Sequence, residues 1–165
     1  MSENDQIDQK IVDYLMQDGR MAAAEIARRI GGGISERVVR YRIERMINEK
    51  VIQIRPIVSP QAFGLTTRAD VVLEVDSDAI MDVAQKAMAF DCVSYVACSI
   101  GETDVSIQVL AKDTGEIYRF VTEVIGKMPG VRKTTTSIVP IVLKDVYQWS
   151  MPRTSDIEKT LEHSS

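Results

Sequence analysis

The residues that most often mark an enzyme or a membrane protein are scarce in this sequence. Its 165 residues include one histidine and two cysteines. No apolar run approaches the roughly 18 residues that a membrane span needs. The N-terminus, MSENDQID, is acidic and polar, whereas a secretory signal would be basic and then apolar. We therefore expect a cytoplasmic protein that makes no contact with a membrane.

The scarce residues are also poorly placed for chemistry. His163 lies in a polar C-terminal tail, and Cys92 and Cys98 lie in one strand-like run. In an extended strand the two cysteines would be roughly 20 Å apart, which excludes a disulfide and favours small buried hydrophobic residues. No Cys/His group has metal-ligand spacing, and no nucleophile has an evident base. We expect no catalytic residue, no metal and no cofactor.

Charge divides the chain into two parts. The net charge of -4 argues against nonspecific nucleic-acid binding. From Arg20 to Arg55, however, there are nine Lys and Arg residues and only four Glu residues. From Gln61 onwards there are ten basic residues and fifteen acidic ones. This asymmetry predicts a basic DNA-binding part joined to an acidic regulatory or assembly part.

Helical periodicity in the basic part predicts a helix-turn-helix. Apolar spacing predicts helices over Gln6–Gln17, with Asp5 as the N-cap, and over Ala22–Ile30. A third helix should begin after Ser35, a good N-cap, and continue to about Glu49. Three glycines, Gly31 to Gly33, separate the last two helices; a tight turn is favoured over a phosphate loop because the P-loop Lys-Ser/Thr is absent.

The third helix has two distinct faces. Its predicted inward stripe is apolar and consists of Val39, Ile43, Met46 and Ile47. Its outward face is rich in arginine and consists of Glu36, Arg37, Arg40, Tyr41 and Glu44. A solvated charged face is the alternative, but arginines near a helix N-terminus after a tight turn favour DNA reading. Arg37 and Arg40 could pair with guanine edges, Tyr41 could pack on a sugar or a thymine methyl, and Arg42, Arg45 and the helix N-terminus suit phosphates.

The pattern of the remaining residues predicts an α+β domain. Val51–Val58 alternates like a strand, and a single turn closed by Gly64 follows it, which places the domain boundary near Leu65. The later order is βαββαβ, with strands over Ala69–Val75, Val93–Ser99, Val105–Ala111 and Val131–Leu143, and helices over Ser77–Phe90 and Thr114–Lys127. This is the order of a ferredoxin-like fold with both helices on one face. A second subunit, paired sheet to sheet, would cover the other face.

Short motifs in a fixed order make the sequence resemble the Lrp/AsnC (feast/famine) family of transcriptional regulators, over roughly Ile7 to Val146. The matching residues in the basic part are Ile7-Asp8, Ile11, Leu15, Asp18-Gly19-Arg20, Glu25-Ile26-Ala27, Ser35, Val39, Arg42-Ile43 and Val51-Ile52. Those further on are Ser59-Pro60, Phe63-Gly64, Gly101 to Asp104, Pro129-Gly130-Val131, Thr134 and Thr136. Each motif alone is weak, but their order and spacing make the match specific.

The resemblance implies a winged helix-turn-helix, a connecting strand and a ferredoxin-like (RAM-type) domain that mediates dimerisation and often senses amino acids. It also implies dimers that assemble into octamers, with ligands bound between dimers. By position, the residues facing DNA would be Ser35, Glu36, Arg37, Arg40 and Tyr41. The residues near an effector would be Gly101, Glu102, Thr103, Asp104, Thr134 and Thr136, for which a tight turn and a plain strand surface are the alternative.

This chain departs from the family pattern at three places. The turn GGGIS is longer than the usual Gly-Leu-Ser, which predicts a different tilt of the recognition helix. Lys50 stands where a helix-ending glycine is typical. The ligand loop usually reads Gly-Asp-Tyr-Asp, whereas Glu102 and Thr103 occupy its middle here.

We therefore predict a sequence-specific transcriptional regulator that binds double-stranded DNA as a dimer or larger assembly and responds to a small molecule such as an amino acid. The expected divisions are 1–50 for DNA binding, 51–65 for the connecting strand, 66–146 for dimerisation and effector binding, and 147–165 for a polar tail. One alternative is a small-molecule-sensing oligomer with little DNA specificity. Another is an enzyme using Glu102 and Asp104, which are more simply turn formers.

Overall fold

A computed structural model describes residues 3–145 and residue 148, with side chains described from residue 6 onwards. The chain forms two compact units, the first of which includes the chain up to Ile57 and the second of which spans Val58–Leu143. No helix in the described part combines the length and apolar composition of a membrane span. His163, which the sequence analysis places in a polar tail, lies outside the described ranges.

The described N-terminal part of the first unit contains three helices, α1 (Glu3–Gln17), α2 (Ala23–Ile30) and α3 (Glu36–Asn48). Ile11, Ile26, Val39 and Met46 form their shared core, which confirms the predicted helix-turn-helix. One detail of α1 was wrong: the helix begins at Glu3, so Asp5 lies inside the first turn and cannot be its N-cap.

Two other predictions for this part of the chain were wrong, because the predicted residues have no neighbouring element against which to pack or pair. Ile47 is 42% exposed instead of buried, because the core that α3 meets is complete with Val39 and Met46. Val51–Val58 forms no strand, since the described residues of this unit contain no other strand with which it could pair. The next segment behaves as predicted: Pro60–Phe63 is one 3-10 turn, ended by Gly64 at φ 79°.

The end of α3 places Lys50 in a backbone conformation that favours glycine. Its φ is 60°, the only positive value among the described non-glycine residues. The Lys50 N–H donates to the carbonyl of Ile47 at 3.1 Å, and the Val51 N–H donates to that of Met46 at 2.8 Å. These two bonds make a Schellman motif, in which the left-handed residue is usually glycine because it has no Cβ.

The substitution Lys50→Gly is therefore expected to raise the free energy of unfolding by about 0.5–1 kcal/mol, because it removes the left-handed strain of a side-chain-bearing residue. Urea denaturation would measure the change. Glu49→Gly is the matched control: Glu49 has φ -78°, where glycine brings no relief and adds chain entropy, so this variant should lose stability. A Lys50→Gly variant no more stable than the parent would contradict the assignment of strain.

The second unit is a four-stranded antiparallel sheet covered by helices on one face. Its elements are β1 (Thr67–Val75), α4 (Ile80–Met88), β2 (Val93–Cys98), β3 (Val105–Ala111), α5 (Thr114–Arg119) and β4 (Val131–Ile138). A π turn over Phe120–Val124 and a 3-10 turn over Ile125–Lys127 continue α5. The strand order is β2-β3-β1-β4 with every pair antiparallel. This confirms the predicted ferredoxin-like βαββαβ arrangement.

Alternation along the two central strands builds the core of this unit. Residues 69, 71, 73 and 75 of β1 and 105, 107, 109 and 111 of β3 are buried on the helical face. Two predicted details were wrong. Met88 is 70% exposed, because α4 ends there and its core face is complete with Val83, Ala84 and Ala87. β4 ends at Ile138: the Val139 N–H still donates to the Arg68 carbonyl at 2.9 Å, but Pro140 follows and has no N–H with which to continue the ladder.

The two cysteines differ in exposure. Cys92 is half-buried just before β2, whereas Cys98 at the end of β2 is exposed, contrary to the prediction that both are buried. Burial raises the pKa of the Cys92 thiol, because the thiolate loses solvation.

Since the thiolate is the reactive form, iodoacetamide at pH 8 should alkylate Cys98 first, and Cys92 should approach the same rate only at higher pH. Peptide mass spectrometry over a pH series measures both rates, and the protein unfolded in urea supplies the control in which they converge. Faster modification of Cys92 than of Cys98 in the folded protein would contradict the burial assigned to it.

Candidate nucleic-acid interface and effector site

The turn before α3 positions the start of that helix. Gly31, Gly32 and Gly33 all have positive φ values, of 71°, 66° and 78°, a conformation that side chains other than glycine disfavour. Ser35 then caps the helix, because its hydroxyl accepts a hydrogen bond from the Val38 N–H at 3.3 Å. The free N–H groups at this helix N-terminus carry partial positive charge, which suits an anion such as a phosphate.

The first two turns of α3 carry an exposed polar face. Glu36, Arg37, Arg40 and Tyr41 are all exposed, and the Tyr41 side chain is 65% accessible. The guanidinium of Arg40 pairs with the carboxylate of Glu36 one turn earlier, and its side chain remains 63% exposed. Arginines presented in this way can pair bidentately with guanine O6 and N7.

Arg42 and Arg45, which we predicted from the sequence to contact phosphates, do not lie on this exposed face of α3. The Nη1 group of Arg42 donates to Asp8 Oδ1 at 2.9 Å, and Arg45 pairs with the other oxygen of the same carboxylate. Asp8 belongs to α1, so this ion-pair cluster ties α1 to α3. The Arg42 side chain is only 12% exposed and that of Asp8 19%. The structure therefore places both arginines in a contact between helices, away from the face that bears Arg40.

Helical spacing could have identified this arrangement. Arg42 follows Val39 by three residues and precedes Met46 by four, so it lies on the same side as the buried stripe of α3. A charged residue on a buried side needs a partner of opposite charge. Asp8 follows Ile7 and precedes Ile11, both of which contribute to the same core, and it supplies that partner.

The basic residues of α2 are also paired within their own helix. The Nε group of Arg29 donates to Glu25 at 2.7 Å, and Arg28 contacts the other oxygen of that carboxylate. The hydrogen bond from Arg29 lowers the pKa of the exposed Glu25 carboxyl. Arg29 also lies over the ring of Tyr14, 5.7 Å from its centroid. These contacts orient the end of α2 that precedes the glycine turn.

The predicted effector residues fall into two groups. In the turn from Gly101 to Asp104, the Asp104 carboxylate accepts a hydrogen bond from the Val75 N–H at 2.7 Å. The Asp104 N–H donates to the Leu73 carbonyl at 2.9 Å. Asp104 thus fastens the β2–β3 hairpin to the end of β1. Glu102 is exposed, Thr103 is half-buried, and the neighbouring Ile100 is fully exposed.

Thr134 and Thr136 lie apart from that turn. Both belong to β4 and pair with the buried residues Leu73 and Val71 of β1, so they share the helical face of the sheet. They line an open cavity of about 350 Å³ between β4 and the helix over 114–124. Its other lining residues are Thr114, Ile117, Tyr118, Val121, Thr122 and Ile138, which the sequence did not single out. None of the residues 101–104 lines it.

The opposite face of the sheet is polar at its centre. The Gln108 side chain donates to Asp70 at 2.9 Å across β3 and β1. Lys133 donates to Glu74 at 2.8 Å, and this bond raises the pKa of the Lys133 ammonium. Val72 and Leu110 are half-buried on this face. Within the described residues, no group of three or more His, Cys, Asp or Glu side chains could hold a metal ion.

Comparison with known families accounts for both units. Residues 5–47 match the AsnC-type helix-turn-helix domain, and residues 69–148 match the Lrp/AsnC ligand binding domain. The chain belongs to the Lrp/AsnC family. It is a helix-turn-helix transcriptional regulator with a ligand-binding domain and not an enzyme.

Relatives of this Lrp/AsnC chain are regulators as well. It is 33% identical to an uncharacterized HTH-type transcriptional regulator of Pyrococcus horikoshii, over 86% of this chain and 89% of that protein. It is 29% identical to the HTH-type transcriptional regulator FL11 of Pyrococcus furiosus, over 86% of this chain and 92% of that protein.

Solved structures share the fold. AsnC of Escherichia coli has a TM-score of 0.77 at 22% identity, over 89% of this chain and 99% of that one. A transcriptional regulator of Neisseria meningitidis, solved in complex with L-Met, has a TM-score of 0.80 at 22% identity, over 91% of this chain and 96% of that one.

Proposed function

We propose that this Lrp/AsnC regulator recognises a specific DNA sequence through the exposed face of α3. The observation that carries the proposal is the exposed set Arg37, Arg40 and Tyr41 next to the helix N-terminus capped by Ser35. Arg37 and Arg40 read base edges, and Ser35 with the free N–H groups binds phosphate. Glu36 holds Arg40 in the free protein and releases it to a guanine on binding.

Arg42 and Arg45 take a different role in this proposal. Their guanidinium groups pair with Asp8 and fix α3 against α1. They orient the DNA-reading face and do not themselves neutralise phosphates. In this proposal residues 1–50 bind DNA, residues 51–65 connect the two parts, residues 66–146 mediate dimerisation and effector binding, and residues 147–165 form a polar tail.

The protein assembles through its second unit, as a homodimer that associates further into an octamer. The half-buried Val72 and Leu110 on the open sheet face support this, because a second sheet would cover them. The exposed apolar residues Ile54 and Ile57 of the first unit give a second surface for another copy. A two-fold dimer reads a pseudo-palindrome whose half-sites are about one helical turn, or a multiple of it, apart.

An amino acid modulates this activity. The matched domain is named for ligand binding, and the Neisseria meningitidis relative in fold was solved with L-Met. The effector lies near Thr134 and Thr136, with Gly101, Glu102, Thr103 and Asp104 close to it in the assembly. The protein acts on DNA in the cytoplasm.

A gel shift with the DNA upstream of the protein's own coding sequence tests both parts together. The shift should appear at nanomolar protein and should change when a pool of the twenty amino acids is added. A shift that the pool leaves unchanged would contradict modulation by an amino acid, but it would still support specific DNA binding. Weak binding equal to that of random DNA would favour the alternative, a sensing oligomer with little DNA specificity.

A further inference from the structure

The exposed face of α3 carries a negative charge beside its arginines. Glu36 is the first residue of the helix and lies one turn before Arg40. The Glu36 side chain is 48% exposed and accepts a hydrogen bond from the Arg40 guanidinium. A carboxylate on a surface that meets DNA also approaches the negatively charged phosphates. Glu36 therefore opposes binding unless the DNA offers its carboxylate a hydrogen-bond donor.

Few groups on duplex DNA can donate to a carboxylate. In the major groove the donors are the N4 amino group of cytosine and the N6 amino group of adenine, whereas guanine and thymine present acceptors there. Glutamate and aspartate side chains accept from the cytosine amino group in known protein–DNA contacts. Glu36 is therefore satisfied where the groove presents an amino group, and it disfavours guanine or thymine at the same position.

The contact between Glu36 and Arg40 decides between these two amino groups. The carboxylate and the guanidinium touch each other in the free protein, so they can reach neighbouring groups of the groove. In a G·C pair, guanine presents the acceptors N7 and O6, and the cytosine amino group lies beside O6. An Arg40 guanidinium on N7 and O6 therefore brings the Glu36 carboxylate next to the amino group of the paired cytosine.

We infer that Glu36 is a specificity-determining residue, whose carboxylate accepts a hydrogen bond from the N4 amino group of the cytosine paired with the guanine that Arg40 reads. When Arg40 leaves Glu36 for guanine, the carboxylate exchanges one donor for another. Both bases of one pair are then read, each by its own side chain. The inference rests on the proposed DNA reading by α3 and adds a second base to it.

A cytosine analogue tests this contact directly, with the full-length protein and the DNA site that it selects. At the pair whose guanine preference Arg40→Ala loses, the cytosine is replaced by 2-pyrimidinone, which lacks the amino group but still pairs with guanine. Fluorescence anisotropy should show the parent protein binding the altered duplex at least about fivefold more weakly, and Glu36→Ala less than about twofold more weakly. Equal losses in the two proteins would overturn the inference, because they would come from the weaker base pair alone.

A second carboxylate of α3 provides the matched control for charge. Glu44 is exposed about two turns after Glu36, beyond the N-terminal residues that contact base edges. The ratio of specific to shuffled-duplex affinity should fall at least about fivefold for Glu36→Ala and change less than about twofold for Glu44→Ala. Lost repulsion or a less stable helix would alter both affinities alike and leave the ratio unchanged. An unchanged ratio for Glu36→Ala, or an equal fall for Glu44→Ala, would overturn the inference.

The Arg40→Ala variant separates this inference from the proposed function. If Arg40→Ala loses preference for the specific site while Glu36→Ala keeps it, the proposed DNA reading by α3 stands and the inference falls. If the parent protein prefers no sequence at all, the proposed function itself fails, and the inference falls with it.

Discussion

The Asp8→Ala variant is expected to lower the free energy of unfolding of the first unit by about 2 kcal/mol. One carboxylate accepts hydrogen bonds from the guanidinium groups of both Arg42 and Arg45, and its removal deprives two partly buried positive charges of the carboxylate that they share. The expected loss lies between that of an exposed ion pair, about 0–1 kcal/mol, and that of a buried one, about 3–5 kcal/mol, because Asp8 is 19% exposed.

Hydrogen exchange measured by mass spectrometry can localise this loss to peptides from α1 and α3, while peptides from the sheet keep their protection. Asp13→Ala is the matched control, because Asp13 lies on the same helix and makes no ion pair within the described part of the chain. A double-mutant cycle with Arg42→Ala should give a coupling of at least 1 kcal/mol. A coupling below about 0.3 kcal/mol would refute the ion-pair cluster as the link between the helices.

The Arg40→Ala variant is expected to bind its specific site about tenfold to a hundredfold more weakly while its affinity for random DNA changes little. A bidentate arginine–guanine pair contributes about 1–3 kcal/mol of discrimination, whereas a phosphate contact contributes equally on every sequence. Arg40 is exposed and pairs with the exposed Glu36 of the same helix, so removing it should leave the fold intact. Fluorescence anisotropy with specific and shuffled duplexes measures both affinities.

Two further variants complete that measurement. Lys86→Ala removes an exposed positive charge from α4, in the other unit, and should leave both affinities unchanged. Arg37→Ala tests the adjacent arginine of the same face. A loss for Arg40→Ala that is equal on specific and shuffled DNA would show that Arg40 contacts phosphate and reads no base.

The fold could be predicted from the sequence where one face of each element is buried. Buried and less buried residues alternate along β1 and β3. A period of two residues therefore predicted the limits of both strands to within a few residues. Ser35 was identified as a cap from its side chain and its place before an apolar stripe, and the structure shows the bond. Local chemistry alone decides such features.

Other features depend on neighbours that periodicity does not specify. Ile47 and Met88 satisfy a helical spacing, but each lies past the point where its helix still meets the core, so both are exposed. Val51–Val58 alternates like a strand, but the described part of its unit contains no strand with which it could pair. Helical spacing puts Arg42 and Asp8 on the buried sides of their own helices, but their pairing joins residues 34 positions apart and depends on how α1 packs on α3.

The candidate site was predictable in part for the same reason. The exposed residues of α3 follow from its helical spacing and are exposed in the structure. Thr134 and Thr136 were proposed through the family resemblance, and the structure adds the cavity around them. Ile138 could have been grouped with them, because it follows Thr136 by two residues on the same strand. Tyr118 and Thr122 could not, because the packing of their helix beside β4 has no clear signature in the sequence.

Selection from a pool of random DNA duplexes by the full-length protein at physiological salt tests the central claim most directly. After several rounds the account predicts one enriched pseudo-palindrome, with half-sites about 10 base pairs or a multiple of that apart, bound at least a thousandfold more tightly than the starting pool. The same selection with Arg40→Ala should lose preference at one position of each half-site. A pool that acquires no common sequence, although the protein binds it, would contradict sequence recognition by α3.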